Sequence, residues 1–346
     1  MSPRRKSNAA PKPVNLALQG GGAHGAFTWG VLDRMLEDDR IEIEAISGTS
    51  AGAMNAAVVA DGIMRDGPEG ARTALRDFWL AVSKAGRNSP IQRTPIDVFM
   101  GNWSLDNSPS YLFFDLLNRV VSPYELNPLN INPLRDLVAG QVDFERVRAC
   151  DRLKIFISAT NVETGRVKVF RRAELTPDAV MASACLPFMF QAVEIDGVPY
   201  WDGGYMGNPV LFPFFNNCSS RDVMIVQINP VERAGTPQTA REILNRVNEI
   251  TFNSSLLREF RAINFVSRLI EDGKLDPDEY KQILVHHVTA DEELKPLGAS
   301  SKLNAEWAFL SHLHDIGYRA AGDWLDAHYD SLGDRSTVDV RSFFQD

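Results

Sequence analysis

Three short clusters in this sequence have the residue types and spacing that covalent chemistry needs. The first is Gly48-Thr49-Ser50-Ala51-Gly52, a G-x-S-x-G pentapeptide between a strand-like and a helix-like segment. A serine forced onto a sharp strand-to-helix turn exposes its hydroxyl, and the flanking glycines let backbone pass close behind it. The helix N-terminus beneath favours developing negative charge. Ser50 is therefore a candidate nucleophile, supported by Gly48 and Gly52, although an ordinary glycine-rich α/β turn has the same pattern. The second cluster is Gly20-Gly21-Gly22-Ala23-His24-Gly25. As G-x-G-x-x-G it suits a dinucleotide pyrophosphate; beside a nucleophile, its N–H groups suit an oxyanion. The dinucleotide reading wants an acid at the tip of the second strand. That strand ends in Ile46-Ser47-Gly48, and Glu44 comes too early. The oxyanion reading fits better, each placed donor contributing roughly 2.7 to 4 kcal/mol to a transition state. The third cluster, Asp202-Gly203-Gly204, follows Val198-Pro199-Tyr200-Trp201. Taken alone it reads as a plain turn, and otherwise as a general base on a tight loop.

A serine hydrolase usually recruits histidine, and none of the six here sits in an obvious catalytic turn. His312 and His314 are two apart on a helical segment and face different sides; His286 and His287 point to opposite faces of a strand. His328 carries no motif, and His24 lies in the glycine turn, where capping, anion contact and plain exposure are all open.

These clusters need a rigid frame. Val14 to Gln19 alternates apolar and polar residues and predicts a strand running into the glycine turn. Phe27, Val31, Leu32, Met35 and Leu36 recur at helical spacing and predict a helix over about 24–37. Ile43 to Ile46 is a second strand, followed by a small-residue helix over 51–64. Such alternation implies a parallel sheet covered by helices. Further strands are expected at 154–160, 166–170, 192–201, 222–228 and 283–288. Residues 240–272 read as helical, interrupted near Asn253-Ser254-Ser255 because Asn and Ser favour turns. Between Ile91 and Pro133 lies a Pro-, Asn- and Ser-rich insertion studded with Phe99, Trp103, Tyr111, Phe113 and Phe114. Its apolar stripe, with Phe113 and Leu117 as the clearest members, is either core packing or a lid or channel for acyl chains. As a loop-rich insertion it is expected to govern acyl-chain preference.

Taken together, the residues resemble the patatin-like phospholipases. The resemblance rests on G-G-G-x-x-G after the first strand, G-T-S-A-G after the second, Ala182-Ser183-Ala184-Cys185-Leu186-Pro187-Phe188, then Asp202-Gly203-Gly204, over about Val14 to Pro209. It implies a three-layer α/β/α hydrolase with a mainly parallel central sheet, using serine and aspartate without histidine. By motif, Ser50 is the nucleophile, Asp202 the base, and Gly20, Gly21, Gly22 and Ala23 line the oxyanion hole. Many members carry Arg or Lys where this chain has His24.

Composition bounds the rest. The 346 residues, 44% hydrophobic and 23% charged, bury a sizeable core. The expected layout is a disordered basic tail over 1–13, one hydrolase domain over 14–335 with an insertion at about 91–133, and a C-terminal tail over 336–346. With Arg4, Arg5, Lys6 and Lys12 set aside, 32 basic residues face 45 acidic ones, so the body is a poor match to a nucleic acid. The tail's attraction to anionic lipid, at roughly 1 kcal/mol per basic residue, allows no more than transient membrane contact. Neither a membrane-spanning run nor a signal peptide is expected. Three scattered cysteines suit a reducing, cytoplasmic setting. No cofactor or metal is expected, and calcium is not implied without a D-x-D-x-D-G loop. The expected substrate is a lipid or other acyl ester. A nucleotide-binding oxidoreductase using Gly20 to Gly25 with NAD, and a noncatalytic binding relative, remain the alternatives.

Overall fold

The computed structural model describes residues 10–344. Eight strands form one sheet in the order β5-β6-β3-β2-β1-β7-β8, with β4 also paired to β3. They are β1 Lys12–Leu18, β2 Ile41–Gly48, β3 Lys154–Asn161, β4 Val167–Arg171, β5 Val193–Ile195, β6 Val198–Asp202, β7 Asp222–Val226 and β8 Leu284–Val288. The five strands β3-β2-β1-β7-β8 are mutually parallel; β4, β5 and β6 run antiparallel to their neighbours. The principal helices are α1 Gly25–Glu37, α2 Ala51–Gly86, α3 Pro109–Val120, α4 Pro177–Ser183, α5 Ala240–Glu271 and α6 Trp307–His328.

Alternation along the strands divides the core between two faces. Leu16 and Leu18 of β1, Ile155 and Ile157 of β3, and Met224 and Val226 of β7 face a cluster built with α1, α2, α4 and α6. Ala17, Phe156, Val223 and Ile225 face the opposite cluster with Leu256, Phe260 and Ile263 of α5. This is the expected three-layer α/β/α arrangement, with both sheet faces covered as a parallel sheet requires. On the first face, α1 and α6 pack backbone to backbone. A Cβ at Gly30 would fall on the His314 carbonyl, and one at Gly317 on the Phe27 carbonyl. Among the described residues no helix is long and apolar enough to cross a membrane.

Several expectations are corrected in detail. The span 192–201 is a hairpin, not one strand, because Asp196 and Gly197 both take positive φ and turn the chain. The helix expected to stop at residue 64 bends at Asp66-Gly67 and resumes to Gly86. The segment 240–272 is unbroken: Asn253 Nδ2 donates to the Pro230 carbonyl and Ser255 Oγ accepts the Asn208 N–H, so these polar side chains serve tertiary partners. Most of the expected N-terminal tail lies outside the described residues, but Lys12 and Pro13 already belong to β1, and Lys12 Nζ donates to the Leu332 carbonyl. Of the stretch expected as a C-terminal tail, the described part packs on the second face, where Phe343 meets Phe260 at 5.1 Å between ring centroids; residues 345–346 lie outside the described residues.

The insertion holds helices Pro95–Phe99, α3 and Pro123–Leu126. Most of its apolar residues, though not the buried Leu105, face outward: Phe99 is 88% exposed, and α3 has no buried residue. Trp103 anchors it, stacked on Phe309 and His312 with the Arg93 guanidinium over its ring. Gln191 also donates to the Asn127 carbonyl, and the Ala192 N–H to Tyr124 Oη, tying the insertion to the loop that follows α4.

Candidate active site

Ser50 lies where β2 turns into α2, with φ 55° and ψ −118°. A non-glycine residue there is strained by about 1 to 3 kcal/mol and persists only if its surroundings hold it. The hold is visible. The Ser50 N–H donates to Ser183 Oγ at 2.9 Å, and Thr49 Oγ1 donates to the Gly207 carbonyl at 2.7 Å. Gly48 and Gly52 are required because a Cβ at either would meet backbone about 2.5 Å away, at the Gly52 and Leu18 carbonyls respectively. Sequence reading missed Ser183 as a positioning residue, though it lies inside the Ala182–Phe188 motif.

Asp202 ends β6, its backbone fixed by the Cys185 carbonyl and the Thr160 hydroxyl. Its carboxylate accepts the Gly204 N–H at 2.7 Å. Gly203 and Gly204 are pressed by the Ser158 carbonyl and the Phe252 ring, so neither has room for a side chain. Burial pushes the Asp202 carboxyl from 3.8 up to about 7, with partial opposition from the Gly204 N–H, the Ser50 hydroxyl and Lys302. The Ser50 hydroxyl favours the ionised carboxylate, so the serine and the aspartate side chains interact directly. The neighbouring Cys185 thiol is pushed by burial up to about 12 and is no nucleophile.

All four residues of the expected oxyanion hole line the same cavity as Ser50 and Asp202. Their N–H groups are not equivalent. That of Gly20 is taken by Asn208 Oδ1 at 2.7 Å, whereas those of Gly21, Gly22 and Ala23 have no acceptor among the described residues. Gly21, Gly22 and Ala23 are therefore the positions whose N–H groups are left free to donate into the cavity. The glycines also fit the elbow: a Cβ at Gly20 would lie 2.7 Å from Ser50 Cβ, and one at Gly25 2.6 Å from Ala51 Cβ. Glu44, considered for a ribose contact, is spent on Lys154, Ser219 and Ser220.

The cavity holds about 290 Å³ and is lined largely by apolar side chains, among them Met54, Trp79, Leu134, Leu186 and Phe190. Phe113 and Leu117, expected in a substrate channel, do not line it. They lie on α3, where Phe113 is 61% exposed, because the helix turns its apolar stripe outward.

Among the described residues no histidine lines the cavity. His24 is buried against Ser301 Oγ and Phe309, and burial holds it well below its ordinary pKa, so it brings no charge. His286 pairs with Asp222 where β7 begins, at the opposite end of the parallel sheet from Ser50. His287 binds Gln227, His312 stacks on Trp103, His314 binds Asp33 and His328 meets Trp324. Replacing His287, His312 or His328 by alanine should leave kcat for a short ester within about threefold of wild type. A collapse of kcat in any folded variant would return the site to a histidine triad.

The sequence profile of the patatin-like phospholipase family matches residues 16–215. No curated protein sequence matches the chain. Among solved structures, VipD from Legionella pneumophila is similar at 15% identity, over 92% of this chain and 68% of that one, with a TM-score of 0.43. ExoU in its heterodimeric complex with SpcU, from the type III secretion system of Pseudomonas aeruginosa, is similar at 17% identity and a TM-score of 0.40. That likeness covers 93% of this chain and 53% of ExoU, so the chain spans about half of that relative's length. The profile match covers more than half of the 346 residues and includes both the Ser50 elbow and Asp202, and the chain belongs to the patatin-like phospholipase family.

Proposed function

We propose that the protein is a lipid acyl hydrolase, a carboxylic ester hydrolase of phospholipase A or lysophospholipase type, working through a Ser50–Asp202 dyad and an acyl-enzyme. The observation that carries this reading is a strained serine, a buried carboxylate and three unpartnered N–H groups meeting in one largely apolar cavity. Asp202 accepts the hydroxyl proton as Ser50 Oγ attacks the ester carbonyl. An ordinary aspartate is a weak base toward a hydroxyl, and burial corrects this by raising its pKa to about 7. The negative oxygen is received by the N–H groups of Gly21, Gly22 and Ala23. The alcohol departs with the proton, and Asp202 then activates water to release the acyl group. The test is acid quenching of a reaction with p-nitrophenyl butyrate, followed by peptide mapping. A butyryl adduct on Ser50 is expected, and an adduct confined to another residue would contradict the dyad.

The apolar lining suits an acyl chain, each buried methylene contributing about 0.8 kcal/mol at most. Met189→Asn and Phe190→Asn, which alter the lining, should lower kcat/KM for decanoate esters at least tenfold while acetate and butyrate esters change less than about threefold. Phe113→Asn and Leu117→Asn should leave that ratio unchanged with soluble substrates. The reverse pattern would place the acyl chain along the insertion.

A further inference from the structure

The cavity contains one ammonium that this mechanism does not use. Lys302 lies on the short turn Ser300–Leu303, which clasps the oxyanion loop. Its carbonyl fills the space a Gly22 Cβ would need, and Ser301 Oγ meets His24 Nε2 at 2.8 Å. Lys302 Nζ donates to Asn229 Oδ1 at 2.7 Å, and Asn229 Nδ2 donates to the Gly20 carbonyl at 2.8 Å. The chain of contacts therefore runs from the ammonium to the peptide that begins the oxyanion hole.

An ammonium has three N–H donors, and Asn229 takes one. The others have no acceptor among the described residues, and Lys302 is the only cationic side chain lining the cavity. The charged groups around it are Asp202, Glu249 and Arg233. Glu249 is already held by Arg233 and Arg246, and Asp202 acts on Lys302 only through space, so among the described residues no carboxylate forms an ion pair with it. An unpaired charge in an apolar cavity is costly unless something there uses it.

We propose that Lys302 is an electrostatic and positioning residue of the oxyanion site: its ammonium favours the negative oxygen formed on the substrate, and its grip on Asn229 orients the Gly20–Gly21 peptide. The peptide is planar and trans, so pinning the Gly20 carbonyl aims the Gly21 N–H the opposite way. In the step concerned, the Ser50 Oγ–carbon bond forms, the hydroxyl proton passes to Asp202, and the carbonyl π pair moves onto oxygen. Lys302 stays protonated throughout. The inference rests on the serine-hydrolase reading above.

The test compares kcat and KM for neutral p-nitrophenyl butyrate across pH in the full chain, Lys302→Met, and Lys302→Cys before and after treatment with bromoethylamine. Lys302→Met should lose about 10²- to 10³-fold in kcat with KM within a few-fold, the effect of one oxyanion donor. Burial pulls the Lys302 pKa down to about 8, so wild-type kcat should fall on an alkaline limb that Lys302→Met lacks. Aminoethylation of Lys302→Cys should restore both rate and limb, which a purely packing role would not. A loss below about threefold would overturn the proposal. So would a loss confined to esters that carry a phosphate or carboxylate, which would make Lys302 an anchor for a substrate anion. Wild-type kcat that stays level from pH 7 to 9.5 would overturn it whatever the stability of the variants. If wild type forms no acyl adduct on Ser50, the hydrolase reading itself fails; an adduct with Lys302→Met unimpaired retires this inference alone.

Discussion

Ser50→Ala is expected to lower kcat for short p-nitrophenyl esters by at least about three orders of magnitude without unfolding the protein. The nucleophile acts as a unit with its base, and such units lose nearly everything when one member goes. The methyl that replaces CH₂OH fits the same space, and the backbone strain at φ 55° stays because alanine also has a Cβ. Ser50→Gly should be equally inactive yet melt at a higher temperature than Ser50→Ala, since glycine adopts that conformation without strain. Retention of more than a few per cent of turnover by pure Ser50→Ala would remove Ser50 from the chemistry. Equal melting of the two variants would show that the elbow is unstrained.

Asp202→Asn should cost a comparable factor, about 10³ or more in kcat, and it carries a second signature. Wild-type kcat/KM should rise with pH through about 7 as the carboxylate ionises, and the residual activity of Asp202→Asn should lack that limb. The stability effect has the opposite sign. The folded-state pKa is above the unfolded value, so between about pH 4 and 7 the folded protein keeps a proton that the unfolded chain has lost. Stability conferred by that proton is full below about pH 4 and is lost as pH rises through about 7. The asparagine variant, uncharged throughout, should come nearest to wild type in Tm at or below about pH 4 and exceed it at pH 8. A Tm difference that shrinks toward pH 8 would show that the buried carboxylate is stabilised and is therefore a poor base.

The sequence made the site's local geometry readable because the elbow, the glycine loop and Asp202 are each set by short-range patterns: strand, then glycine, then a residue with a task. Long-range partners left no such pattern. Asn208, Ser183, Asn229 and Lys302 reach the site from distant parts of the chain, and each is an unremarkable polar residue in its own neighbourhood. The helices of the insertion are only partly legible, for a different reason. Its Pro-, Asn- and Ser-rich composition suits loops, yet Thr94-Pro95, Ser108-Pro109, Ser122-Pro123 and Asn132-Pro133 each start a helix, with the polar residue as N-cap and proline at the first helical position. Asp196-Gly197 was likewise a readable hairpin signal inside a run taken as one strand. The continuity of α5 through Asn253-Ser254-Ser255 is not readable, because it depends on distant partners: the Asn208 N–H, which donates to Ser255 Oγ, and the Pro230 carbonyl, which accepts from Asn253 Nδ2.

The central claim is that Ser50 is an activated nucleophile in a site that needs no histidine. Labelling with a fluorophosphonate, followed by peptide mapping, tests it most directly. The buried thiol of Cys185 does not compete, because its pKa is pushed up to about 12. Wild type should take up one label per chain on the peptide that contains Ser50, Ser50→Ala should take up none, and His287→Ala should label at the wild-type rate. Absence of label from wild type, or equal labelling of wild type and Ser50→Ala, would contradict the account.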